Sequence, residues 1–152
     1  MYTPGMRIPA AARGVTLIEL MIVIVVLAML STIAVSSYRR YAIRANRTEA
    51  TTTLLRIQVA QEKFFLQNNA YADGLAGLTG TPPAGLGIGV NGSDGTTQNG
   101  FYVIELTSGD ATHYTVKATA HAGQTEDKAD CQTYTIDEQG VRTPDEASGC
   151  WK

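Results

Sequence analysis

Two histidines, two cysteines and a scatter of acids are the residues on which chemistry could be built in this chain of 152. His113 precedes Tyr114 in a strand-like alternation and His121 stands at a strand end. Neither has a cysteine, serine or paired carboxylate nearby, so no nucleophile or metal centre is assembled around them, and both read as surface histidines. Glu126, Asp127 and Asp130 could suggest a calcium site, but they lack the Gly-punctuated ligand spacing of one and read as an acidic surface loop. Residues 85–100 are glycine-rich yet lack the lysine and following helix of a phosphate loop. No catalytic set, metal or cofactor is expected, and an enzyme is the class with least support. Cys131 and Cys150, 19 positions apart, fit neither a zinc spacing nor a CxxC redox motif. A disulfide formed in an oxidising compartment is the better reading, worth roughly 3 kcal/mol by chain entropy; two unrelated buried thiols are the alternative.

Glu19 poses a different problem, because it is the one acid in an apolar run. From Val15 to Val35 the polar positions are Thr16, Glu19, Ser31 and Thr32 alone. About 21 residues of helix cover about 30 Å, the hydrocarbon thickness of a bilayer, whereas a secretory signal core has about 7 to 15 residues. A carboxylate in that setting costs on the order of 2.5 to 3.5 kcal/mol at the helix centre and less near its ends. Either a partner neutralises it, or it lies at the membrane interface at a helix N-terminus, where an acid suits the macrodipole.

The elements that must position these residues follow from pattern. Residues 1–14, with two prolines, two arginines and no acid, read as a processing segment, and Met6 is an alternative start. Residues 36–68 contain neither Gly nor Pro, so the helix is expected to run on from the apolar segment. Leu54, Ile57, Ala60 and Phe64 form an apolar stripe there, with Arg56, Glu62 and Lys63 pointing elsewhere. Residues 67–100 are crowded with Gly, Asn, Pro and Thr and read as mostly loop, with at best one short turn of structure. Residues 100–107 and 112–120 alternate as two antiparallel strands around a turn at Ser108-Gly109-Asp110. Residues 131–143 repeat the pattern, with Tyr134 and Ile136 on one face and Asp137-Glu138-Gln139-Gly140 turning the chain toward a short strand at Val141. The expected architecture is α+β: one long helix laid on a three- or four-stranded antiparallel sheet.

Charge divides along the same line. Arg7 and Arg13 precede the apolar run, and Arg39, Arg40, Arg44 and Arg47 follow it, while residues 71–152 hold four cations against eleven acids. That exposed part is weakly acidic and a poor partner for duplex nucleic acid. The four arginines after the run could contact anionic lipid or nucleic acid. Ion pairs with neighbouring chains, or a solvated helix face, are their more ordinary roles.

The stretch Arg13-Gly14 followed by "VTLIELMIVIVVLAML" resembles the processing motif of type IV prepilins, a basic leader ending in Gly and then a hydrophobic residue, Thr, Leu, Ile and Glu. Residues 46–72 resemble the helical spine of the PilE-type minor pilins, and Cys131 through Trp151 match their pattern of Cys, strand, "DEQG" turn and Cys-Trp. The resemblance implies a leader at 1–14, a membrane and assembly helix at 15–35, and a helix continuation with a globular pilin domain at 36–152. It implies that a prepilin peptidase cuts after Gly14 on the cytoplasmic side and N-methylates Val15, while the apolar run is retained. In such pilins the acid matching Glu19 attracts the charged N-terminus of an adjacent subunit. A buried ion pair adds little net stability but strongly penalises wrong registers, so subunits should settle at one stagger.

Implied partners are the peptidase, the inner-membrane assembly platform and other minor and major pilins, with nucleic acid met only through the filament. The implied location is the inner membrane, then the cell-surface filament, with the globular domain on the periplasmic or extracellular side. Filaments of this kind serve twitching motility, adhesion and sometimes DNA uptake, among which the sequence does not choose. Two departures stand out: Val15 replaces the usual Phe, and Ser36 stands where many members carry a helix-kinking Pro, which predicts a straighter helix. The rival readings are a pseudopilin of type II secretion, a secreted protein cut after Ala34-Val35-Ser36, and a single-span membrane protein. The last draws on the excess of arginines after the span, which the positive-inside tendency would place in the cytoplasm.

Overall fold

The computed structural model describes residues 14–91, 94–109 and 111–151; the expected leader up to Arg13 and the hairpin residue Asp110 lie outside them. The chain divides into two compact units, Met1–Tyr38 and Arg39–Lys152. Helix α1, Leu17–Asn68, supplies residues to both.

In the first unit the side chains of α1 are all exposed, from Leu17 at 77% through Val26 at 47% to Val35 at 60%. This segment is long and apolar enough to cross a membrane by length and composition. Three of its hydroxyls are satisfied internally: Ser31 donates to Leu27 O, Thr32 to Met29 O and Ser36 to Ile33 O. That back-bonding lets serine and threonine sit in an apolar environment without an orphaned donor. Ser36 itself is helical, so the helix is not interrupted at the position where a proline was noted as missing.

In the second unit α1 buries Arg47, Ala50, Leu54, Ile57 and Gln61, at spacings of three and four that put them on one face. Two of the four stripe residues expected from sequence, Leu54 and Ile57, are fully buried; Ala60 and Phe64 lie half-buried at the core's edge. The sheet is antiparallel in the order β1 (Tyr102–Gly109), β2 (Tyr114–Ala120), β3 (Thr133–Asp137) and β4 (Arg142–Thr143). Register follows the pleat: Ile104 pairs with Ala118, Ala118 with Tyr134 and Val116 with Ile136, so one face collects the apolar side chains. On the other face Glu105 lies opposite Lys117 and pairs with it at 2.6 Å, an exposed ion pair of little energetic weight.

The loop region contains one short helix, α2 (Gly74–Thr79), whose Leu78 enters the core. The loop then closes the edge of β1: the Ile104 amide donates to Gly95 O, the Thr97 amide to Tyr102 O, and the Tyr102 amide to Thr97 Oγ1. A covered edge offers no free ladder to another chain. Gly95 has φ +73°, and a Cβ there would lie 2.6 Å from Ile104 O, so only glycine fits this approach. At the other end Asp137 accepts the Gln139 and Val141 amides on Oδ1, and Gly140, at φ +76°, completes the turn into β4. The last strand therefore starts at Arg142, one residue beyond Val141.

Aromatic rings fill the centre of the core. Tyr102 meets Tyr134 edge-on with centroids 5.8 Å apart, and Tyr134 meets Trp151 likewise at 5.6 Å. Cys131 and Cys150 are joined in a disulfide with Cα atoms 5.3 Å apart, and Tyr134 OH donates to Cys150 O, which seats the C-terminal segment on β3.

Candidate functional site

The front of α1 is built by a cap. Thr16 immediately precedes the helix, its Oγ1 accepts the Glu19 amide at 3.2 Å, and its carbonyl accepts the Leu20 amide at 3.1 Å. Thr-x-x-Glu is the capping-box spacing, in which the threonine hydroxyl satisfies an amide that the helix leaves without a partner. Glu19 therefore stands in the first turn, where the macrodipole favours an acid. Its carboxylate, however, is exposed and takes no hydrogen bond or ion pair from any described residue. Just ahead of it Val15 is 70% exposed. A Cβ at Gly14 would meet no described residue within 4 Å.

Further along α1, two of the four arginines that follow the apolar run are consumed inside the chain. Arg47 grips Asp127 with two hydrogen bonds, Nε to Oδ2 at 2.8 Å and Nη2 to Oδ1 at 2.6 Å, and the two side chains are 7% and 4% exposed. Asp127 also accepts from the Lys128 amide at 2.8 Å and from Gln124 Nε2 at 3.3 Å. Gln124, itself buried, donates at 2.8 Å to Ile43 O on α1. The Asp127 carboxylate raises the Arg47 pKa above its usual value, first through their hydrogen bonds and despite burial. Arg39 grips Glu126 in the same two-bonded way at 2.6 and 2.8 Å, though there the pair is exposed. Arg40 and Arg44 are exposed and take no partner among the described residues.

These pairings revise the sequence reading of residues 126–130. Asp127 is not part of a surface loop but a buried anchor for α1, reached through an arginine 80 positions away. Arg47 and Gln61 carried a faint signal, because both fall in phase with the buried stripe of α1; Asp127 and Gln124 carried none. Gln61 acts as a clamp at the far end of α1, where Nε2 donates to Ala72 O and Oε1 accepts the Ala72 amide, both at 2.9 Å. His121 Nδ1 lies 3.1 Å from Gly100 O, and His113 Nδ1 lies 2.8 Å from Thr112 Oγ1. Among the described residues no group of His, Cys, Asp and Glu could hold a metal ion.

A helix that is apolar and exposed at its front, and that farther on packs against a four-stranded antiparallel sheet closed by a C-terminal disulfide, defines the type IV pilin class. Residues 36–135 match the family model described as "Type IV minor pilin ComP, DNA uptake sequence receptor", and residues 10–35 match the prokaryotic N-terminal methylation motif. The chain thus belongs to the ComP family of type IV minor pilins. It is 39% identical over 61 residues to the type IV major pilin protein PilA of Myxococcus xanthus (strain DK1622), an alignment covering 40% of this chain and 28% of that one. A type IV pilin structure from Shewanella oneidensis shares 23% identity with a TM-score of 0.48, over 72% of this chain and 98% of that one. Membership of this family makes the chain a type IV pilin subunit that carries an N-terminal methylation motif. The pseudopilin reading is not favoured by these matches.

Proposed function

We propose that prepilin peptidase cuts this minor pilin after Gly14 and N-methylates Val15. Residues 15–35 then hold it in the inner membrane with 36–152 on the periplasmic side, and the assembly platform moves it into or beneath a surface filament. It acts as a building block and catalyses no reaction. Glu19 would accept the methylated ammonium of a neighbouring subunit.

The observation that carries this reading is the state of Glu19: a carboxylate that takes no partner from the described residues, in the first turn of a helix whose first half is apolar and exposed. In lipid such a charge is costly, and a cation supplied by a second chain removes the cost. Intact-mass and N-terminal fragmentation spectra of the mature protein test the processing step. A chain starting at methylated Val15 is expected, and one starting at Ser37, or retaining Met1 or Met6, contradicts it.

Twitching motility and adhesion are the filament roles this subunit would serve. The words "DNA uptake sequence receptor" in the description of the family make DNA a second reading. The excess of acids beyond residue 70 speaks against capture of duplex DNA by the sheet, and so contact through the filament is the form this reading takes. Comparing DNA uptake with the gene deleted and restored, in cells that still make filaments, separates the two roles.

A further inference from the structure

We infer that the cleft between α1 and the turn at 126–128 holds the phosphate of an anionic phospholipid headgroup while the subunit waits in the membrane. The inference rests on the membrane-anchored reading above. The cleft, about 180 Å³ in volume, is flanked by Arg40, Arg44 and Lys128 and has Ile43 among its lining residues. Both acids that face it are already neutralised: Glu126 by the two bonds from Arg39, and Asp127 by those from Arg47, Gln124 and the Lys128 amide. Three cations are left over around one small opening, all exposed and none paired with a described residue. Arg40 and Arg44 are like charges four apart on a helix, an arrangement that is unfavourable until an anion lies between them.

Chain length selects the source of that anion. Arg40 and Arg44 follow the end of the apolar run at Val35 by five and nine residues, which as helix is about 8 and about 14 Å. The headgroup layer on each face of a bilayer is about 5 to 8 Å deep. Side chains on a helix lean toward its N-terminus, so long arginine stems reach back across the remaining distance. The acidic remainder of the domain disfavours a DNA duplex but does not hinder a single lipid.

The test uses the full mature chain in neutral detergent. Binding of phosphatidylglycerol and of phosphatidylcholine is titrated by native mass spectrometry for the wild type, for R40Q/R44Q/K128Q and for R40K/R44K. The wild type should take up one phosphatidylglycerol in preference to phosphatidylcholine. The triple Gln variant should lose that preference roughly a hundredfold, about fivefold per charge removed, while the Lys variant keeps most of it. Rising salt should weaken binding in the wild type and in the Lys variant, but not in the triple Gln variant. Carbonate-resistant insertion into phosphatidylcholine vesicles is scored alongside. If all three proteins insert but the wild type binds the two lipids equally, the headgroup site is overturned and the anchor stands; if none inserts, the anchor itself falls. Displacement of the lipid by inorganic phosphate or by a DNA duplex at comparable concentration also overturns the proposal, as does cross-linking that pairs Arg44 with an acid of a second copy in place of lipid.

Discussion

Asp127 receives four hydrogen bonds in a buried setting, two of them from Arg47, and the consequence for stability is asymmetric. Removing one partner strands the other charge, whereas replacing both with apolar residues of similar volume removes the need for either. Asp127→Asn is therefore expected to cost about 3 to 5 kcal/mol, and the double variant R47M/D127L about 1 kcal/mol or less. Urea unfolding of the full chain in detergent, followed by Trp151 fluorescence, checks both; equal losses in the two variants would refute the coupling. The buried tyrosines give a second residue-scale expectation. Burial raises the pKa of Tyr102 and Tyr114 well above the ordinary value and pushes Tyr134 up to about 12. Because the neutral phenol is the form the fold accepts, their stabilisation is whole below about pH 10 and drains away as pH rises toward and past 12. Phenolate absorbance and circular dichroism should change together in that window. Phenolate formation near pH 10 with the fold intact would contradict the burial. At this scale the sequence was hardest to read: Cys131 with Cys150 could be inferred because cysteines have few fates, but nothing near Asp127 announces an arginine 80 positions earlier.

At the scale of elements, pattern served well wherever one face was buried. The strands at 102–109, 114–120 and 133–137 were legible because Tyr114, Val116 and Ala118, like Tyr134 and Ile136, alternate with polar neighbours. The long helix was legible because it lacks Gly and Pro from 36 to 68. The loop was not, because its order comes from scattered side-chain-to-backbone bonds and from single glycines such as Gly95, which leave no periodic trace. Gln61 shows what such bonds contribute. Gln61→Leu would leave the buried Ala72 amide and carbonyl without the partners they have now. A loss of about 2 to 4 kcal/mol is expected, with faster amide exchange at Ala72; an unchanged unfolding midpoint would show that the clamp is dispensable.

Across the whole molecule, the two units answer to different solvents. The second unit has a core and a disulfide, and C131S/C150S is expected to destabilise it by about 3 kcal/mol while leaving membrane insertion untouched, as paired thermal melts and carbonate extraction would show. In the first unit no described residue is buried: the apolar side chains from Val15 to Val35 lie bare, and a single carboxylate stands among them. Lipid can cover the first feature, and in the proposed assembly another subunit's ammonium group meets the second. The most direct measurement is the share of Glu19→Ala and Glu19→Gln protein recovered in sheared surface filaments, set against membrane levels of processed protein. The account predicts normal cleavage after Gly14 and a severe drop in incorporation for both substitutions. Wild-type incorporation of either would contradict it.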